Sequence, residues 1–135
     1  MINNRIIGYA YMVGDIIHEG HLLYLRNCKA LCDKLIVGVL TDEAVLEKKP
    51  KAILTFTQRL KIVKSIKYVD VVVPQKTYLP NRNCELLKPD ILFENIGREE
   101  QGFNENRAII VFPYYPGISS TEIKKRIINA RDKNM

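Results

Sequence analysis

After Lys34 the chain runs Leu-Ile-Val-Gly-Val-Leu to Leu40 and offers solvent no polar side. A strand with one wet face alternates apolar and polar residues. A continuous apolar run predicts a strand covered on both faces, as in a parallel sheet between helical layers. The rest of the sequence supplies the matching pieces. Ile6 to Met12 reads as a first buried strand, and Val69 to Val73 as a third, closed by Pro74. Ile91 to Phe93 and Ile109 to Phe112 read as the last two. Between them lie helical patterns: Glu19 to Cys32, with Leu22, Leu25, Cys28 and Cys32 as its apolar stripe, Thr57 to Ser65, and a short segment at Glu85 to Lys88. Thr41-Asp42-Glu43 is a helix-start signal at a strand end. Ser119 and Ser120 cap a final helix that runs to about Arg131, with Glu122 in its first turn. Strands alternating with helices predict βαβ units in an α/β, doubly wound Rossmann-like domain with a parallel sheet. No repeat or linker divides the chain, so residues 1–135 are expected to form a single domain.

Composition narrows the partners. The 21 basic and 15 acidic residues leave a net charge of +6, which suits anionic ligands. The basic residues cluster at Lys48, Lys49 and Lys51, at Arg59 to Lys67, and at Lys124 to Arg126. No aromatic residues interleave with them as on a single-strand-binding surface, which argues against nucleic acid. No run approaches the roughly 18 apolar residues of a membrane span. The polar start Met1 to Arg5 does not resemble a signal peptide, so a cytoplasmic protein is expected, with no membrane partner. Three cysteines, Cys28, Cys32 and Cys84, make no even disulfide framework and read as small buried apolar side chains.

The chemistry concentrates in Gly14-Asp15-Ile16-Ile17-His18-Glu19-Gly20-His21, between the first strand and the first helix. Histidines three apart share one face of a first helical turn. Gly20 leaves room for a ligand to approach the backbone. A helix start presents unpaired N–H groups and the positive end of the dipole, so the segment suits the phosphates of a nucleotide. The imidazoles can donate hydrogen bonds to charge developing on a transferred phosphorus group. Asp15 is a candidate to position a metal ion or orient a substrate group. A zinc site would need a third ligand at matched spacing, and none stands out.

These residues carry a resemblance. His18-Glu19-Gly20-His21, the Gly14-Asp15 ahead of it, Thr41-Asp42-Glu43, the Lys48 to Lys51 segment, Arg59 and the late Gly117-Ile118-Ser119-Ser120-Thr121 follow one another in order. In this order they resemble the cytidylyltransferase branch of the HIGH-motif nucleotidyltransferases. The resemblance implies direct in-line attack by a substrate phosphate on the α-phosphorus of CTP, with Mg²⁺ and without a covalent intermediate, usually in a homodimer. It implies that Val13, Gly14, Asp15, His18 and His21 bind the nucleotide, the histidines acting on the transition state. Lys48 or a neighbouring lysine would grip substrate phosphate, making Lys48 a catalytic candidate. Asp42 would sit near the substrate, and Arg59 would contact phosphate or hold the site together. Gly117, Ile118, Ser119, Ser120 and Thr121 would take the β- and γ-phosphates.

Three departures bear on specificity. The family commonly has Gly-Thr-Phe-Asp where this chain has Met12-Val13-Gly14-Asp15, which removes a hydroxyl. A Gly-Asp-Asp-Trp-like segment is replaced by Phe93 to Glu100, without tryptophan. Tyr114, Tyr115 and Pro116 stand where an arginine usually precedes the Gly-Ile-Ser motif. A shifted acceptor follows, among phosphocholine, phosphoethanolamine, polyol phosphates and phosphonates. An adenylyltransferase of the same superfamily and a non-catalytic nucleotide-binding module stay open as alternatives.

Overall fold

Among the described residues five parallel strands form one sheet: β1 (Ile7–Met12), β2 (Lys34–Leu40), β3 (Val71–Gln75), β4 (Ile91–Asn95) and β5 (Ala108–Phe112), in the order β3-β2-β1-β4-β5. This is a computed structural model, and it describes residues 5–95, 107–113 and 119–133. The helices are α1 (Glu19–Ala30), α2 (Asp42–Leu46), α3 (Phe56–Lys64), α4 (Asn81–Leu87) and α5 (Ser120–Lys133). The chain moves outward from β1 through β2 to β3, then crosses back to β4 beside β1. Strand order reverses between β1 and β4, so a crevice opens at their carboxyl ends.

Side-chain alternation explains why both faces are buried. Tyr9 and Tyr11 of β1 pack with Ile36 and Leu40 of β2 against Val45 of α2 and Cys84 of α4. Ala10 and Met12 face the other way, with Leu35, Val37 and Val39, against Leu25 and Cys28 of α1 and Val63 of α3. Each central strand therefore feeds two cores, which is why its sequence reads as uninterrupted apolar residues. An aspartate placed one residue before each of three strands fixes the register. Asp33 accepts the backbone N–H of Ile6 at 2.7 Å, Asp70 that of Leu35 at 2.7 Å, and Asp90 that of Ile7 at 2.8 Å. Each carboxylate satisfies an N–H at the start of a neighbouring strand, where the ladder has no carbonyl to offer.

The expected fold class holds, with local corrections. β3 begins at Val71 and continues through Pro74 to Gln75, two residues later than the hydrophobic run suggested. Val69 N–H is spent in a turn on Ile66, and the strand starts only after Asp70. Pro74 is tolerated because β3 is an edge strand, where a missing N–H breaks no ladder bond. Leu22 is not part of the α1 stripe; it is exposed, and Tyr24 fills the core in its place. α1 ends at Ala30, two residues before the expected Cys32. Cys28 and Cys84 are buried and Cys32 is half-buried, all as free thiols. No helix among the described residues is long and apolar enough to cross a membrane.

Gly38, in the middle of β2, makes room for a polar network on the α4 side. The Tyr9 hydroxyl lies over it and meets the Gln75 side chain, and Asn83 Nδ2 donates to the Tyr9 oxygen at 3.0 Å. A Cβ on Gly38 would overlap the Tyr9 hydroxyl and lie 2.9 Å from Gln75 Oε1. Gly38→Ala should therefore lower unfolding free energy by about 2–4 kcal/mol through overpacking and a broken buried network. Urea denaturation measures this, and a variant as stable as the parent would contradict it.

Candidate active site

A cleft of about 550 Å³ occupies the crevice at the carboxyl ends of β1 and β4. Val13, Gly14, Asp15, His18 and His21 line it from the β1–α1 corner. Lys49, Pro50 and Lys51 line it from the loop after α2, and Ser119, Ser120, Thr121 and Lys124 from the start of α5. Gly14 takes φ +71°, and a side chain there would also press on Val63 at 3.0 Å. Glycine alone turns the chain at this point without strain.

The two histidines cap their own helix. His18 is the N-cap of α1, in extended conformation, and its Nδ1 accepts the N–H of Gly20 at 3.0 Å. The N–H of His18 donates to Nδ1 of His21 at 3.2 Å. This is a reciprocal capping box built from imidazoles rather than from Ser and Glu. Because both Nδ1 atoms accept backbone protons, both neutral rings must carry their proton on Nε2. The rings lie 4.1 Å apart between centroids, tilted by 51°. Burial holds His21 down to about 4, with the neighbouring His18 adding to the shift. Burial also lowers His18, although Glu19 opposes it. At neutral pH the cleft therefore contains two uncharged imidazoles, each with one Nε2–H to donate.

A buried guanidinium builds the corner beside them. Arg59 of α3 is fully buried and donates to the carbonyls of Val13 and Leu40, each at 2.6 Å, and of Leu54 at 3.3 Å. Its remaining arm meets Asp42 at 2.8 Å. Arg59, expected to contact phosphate or to hold the site together, ties these backbone segments to one another and does not line the cleft. Asp42, expected near the substrate, pairs with Arg59, and the helix cap beside it is Thr41. Lys48 lies outside the lining of the cleft. Its ammonium lies over the Tyr78 ring at 5.7 Å, and Lys49 and Lys51 take the cleft positions.

Asp15 is buried within the cleft wall, and its oxygens point into the protein. Oδ1 accepts the N–H of Leu54, and Oδ2 that of Ile53, both at 3.0 Å; Oδ2 also meets Lys124 Nζ at 2.6 Å. Burial alone would raise the pKa of Asp15, but the Leu54 amide, Lys124 and the Ile53 amide outweigh it and leave the carboxyl below its ordinary value. The expected metal-positioning role finds this carboxylate already committed. Among the described residues no three His, Cys, Asp or Glu side chains gather to hold a metal ion. The described residues fit a Mg²⁺ that would be carried mainly by nucleotide phosphates.

At the start of α5, Ser119 Oγ accepts the N–H of Glu122 at 3.0 Å and keeps its hydroxyl proton for a ligand. Ser120 donates its hydroxyl proton to the Ile16 carbonyl at 3.0 Å, so it can offer an anion only its backbone N–H. Gly117 and Ile118 lie outside the described residues. Lys124, which sequence reasoning did not single out as a site residue, brings an ammonium into the cleft one turn beyond Ser120. The signal was their spacing of four, which places both on one helix face.

The histidines predict a pH effect with a definite sign. In the unfolded chain His21 titrates at its ordinary 6.5 and in the folded chain at about 4. Between these values the unfolded chain binds more protons, so stability falls as pH drops through that window and is unaffected above it. His21→Asn keeps an acceptor for the His18 N–H but cannot titrate. It should flatten the decline in urea midpoint between pH 6.5 and pH 4, and an unchanged slope would contradict the assignment.

A sequence model of the cytidylyltransferase-like family matches residues 14–126, from the first glycine of the corner into α5. A glycerol-3-phosphate cytidylyltransferase of Bacillus subtilis (strain 168) is 35% identical over 126 residues, 87% of this chain and 93% of that protein. An ethanolamine-phosphate cytidylyltransferase of Mus musculus is 42% identical over 77 residues, 53% of this chain and 19% of that protein. The crystal structure of a lipopolysaccharide core biosynthesis protein from Thermoplasma volcanium GSS1 superposes with a TM-score of 0.73 at 25% identity, covering 83% of this chain and 99% of that one. The chain belongs to the cytidylyltransferase-like family of nucleotidyltransferases.

Proposed function

We propose that this protein transfers CMP from CTP to a small phosphate monoester or phosphonate and releases pyrophosphate. The carrying observation is the pair of neutral imidazoles whose Nε2–H groups are left for a ligand in a cleft that also holds Lys49, Lys51 and Lys124. In the proposed step an oxygen of the acceptor phosphate attacks the α-phosphorus of CTP. A new P–O bond forms as the bond from the α-phosphorus to the bridging oxygen breaks, and pyrophosphate leaves with that electron pair. An ionised acceptor needs no general base, so the chain's task is to position the reactants and stabilise charge. His18 and His21 donate to the α-phosphate oxygens as charge builds there. Neutral donors suit this role, because they add hydrogen bonds without binding the ground-state anion as strongly as cations would. The N-terminus of α5, with Thr121 and Lys124, takes the β- and γ-phosphates. Lys49 and Lys51 hold the phosphate of the acceptor. Mg²⁺, held mainly by the phosphates of CTP beside Thr121 and Lys124, would supply charge neutralisation for the pyrophosphate group.

The names of the two curated relatives, one acting on glycerol 3-phosphate and one on ethanolamine phosphate, support an acceptor of this class. A homodimer belongs to the same proposal, on the strength of the resemblance, as does the cytoplasmic location expected from the sequence. The test is pyrophosphate release with each of the four nucleoside triphosphates against a panel of phosphorylated alcohols, amines and phosphonates. CTP should support release and ATP should not; release with ATP alone would make the protein an adenylyltransferase. His18→Asn and His21→Asn each keep the Nδ1-type acceptor of the capping box and lose the Nε2–H. Each should reduce turnover by roughly 100- to 1,000-fold while thermal stability stays near that of the parent. Undiminished turnover in both would overturn the mechanism.

A further inference from the structure

The Asp15 carboxylate touches both walls of the cleft that carry its cations. One wall is the loop carrying Lys49 and Lys51, whose far end is held by the Ile53 and Leu54 amides on Asp15. The other is α5, whose Lys124 ends on the same Oδ2 that accepts from Ile53. A carboxylate oxygen shared between an amide and an ammonium divides its acceptor strength between them. If the ammonium turns toward a polyphosphate, more negative charge is left for the amide, and charge-assisted hydrogen bonds to backbone N–H are the strong ones. Lys124 can make this turn, since its side chain is 32% exposed while that of Asp15 is 5% exposed. The Arg59 bond to the Leu54 carbonyl holds the next peptide along, so Leu54 is fastened through both its N–H and its C=O.

We infer that Asp15 is a positioning residue that couples the two substrate sites: it fastens the lysine loop, and it tightens that hold when Lys124 is drawn onto nucleotide phosphate. The inference rests on the proposed function for the identity of the ligands, but its physical core concerns the protein alone. Nucleotide occupancy then pre-orders the acceptor lysines, and binding of one substrate favours the other to the same degree in both directions.

Amide hydrogen exchange resolved at Ile53 and Leu54 tests this in the free protein. Asp15→Asn removes one acceptor and the charge, and should speed exchange at both amides about tenfold or more while β1 and β2 amides keep their protection. Lys124→Met lies on an exposed helix and should fold normally. It removes the competing ammonium and should slow exchange at Ile53 at least about threefold. With CTP added, the parent should show the same slowing, and Lys124→Met should show no further change. In steady state Asp15→Asn should raise the acceptor KM by a larger factor than it lowers kcat. Exchange at Ile53 and Leu54 that ignores Asp15→Asn, or an Ile53 rate that ignores Lys124→Met, overturns the inference. If Asp15→Asn does not fold, the Lys124→Met arm decides alone. A parent that neither binds CTP nor releases pyrophosphate sinks the functional reading, and the exchange rates in the free protein still judge the coupling.

Discussion

The site is organised by one buried cation. Arg59 enters the end of the sheet from α3 and gathers the carbonyls where β1 and β2 stop, the carbonyl that ends the lysine loop, and Asp42 at the start of α2. Strand ends leave carbonyls without ladder partners, and a buried carbonyl without a donor is costly. A guanidinium has enough N–H groups in a fixed fork to serve several at once, which an ammonium cannot do with the same geometry. The β1–α1 corner, the α2 start and the loop after it thereby share one reference point. The elements around the cleft are thus tied to one side chain.

On that frame the histidines solve two problems with one arrangement. A helix start needs acceptors for its first N–H groups, and a phosphate site needs donors. Each imidazole has one nitrogen for each task. The capping box uses the Nδ1 atoms and thereby leaves the Nε2 protons for a ligand. Burial keeps both rings neutral, which fixes the number of protons each one offers. The spacing of three follows from the geometry of a helical first turn, where N-cap and N3 face each other.

Much of this was legible in the sequence, for identifiable reasons. The central strands declared themselves because burial on two faces removes polar residues from the run. The histidine corner stood out because two imidazoles at cap spacing after a strand have few other uses. β3 was misplaced because the sequence does not announce which strand is the edge, and Pro74 is a terminator only in an interior strand. The Asp33, Asp70 and Asp90 pattern is readable, with one aspartate before each of β2, β3 and β4, but its meaning depends on which strands become neighbours. Arg59 falls at i+3 from Phe56, with Leu60 and Val63 following on the same face. An arginine inside an apolar stripe is the mark of a buried network. The choice of Lys49 and Lys51 over Lys48 was not legible, since a loop has no period to say which side chains face the cleft.

The central claim is that His18 and His21 are neutral and protonated on Nε2 in the working protein. Nitrogen-15 NMR of the imidazoles, with the two rings assigned by single substitution, measures this directly. The account predicts a protonated Nε2 and an unprotonated, hydrogen-bonded Nδ1 in both rings at neutral pH, with His21 still neutral at pH 5.5. A proton on either Nδ1, or an imidazolium at His21 at that pH, would contradict it.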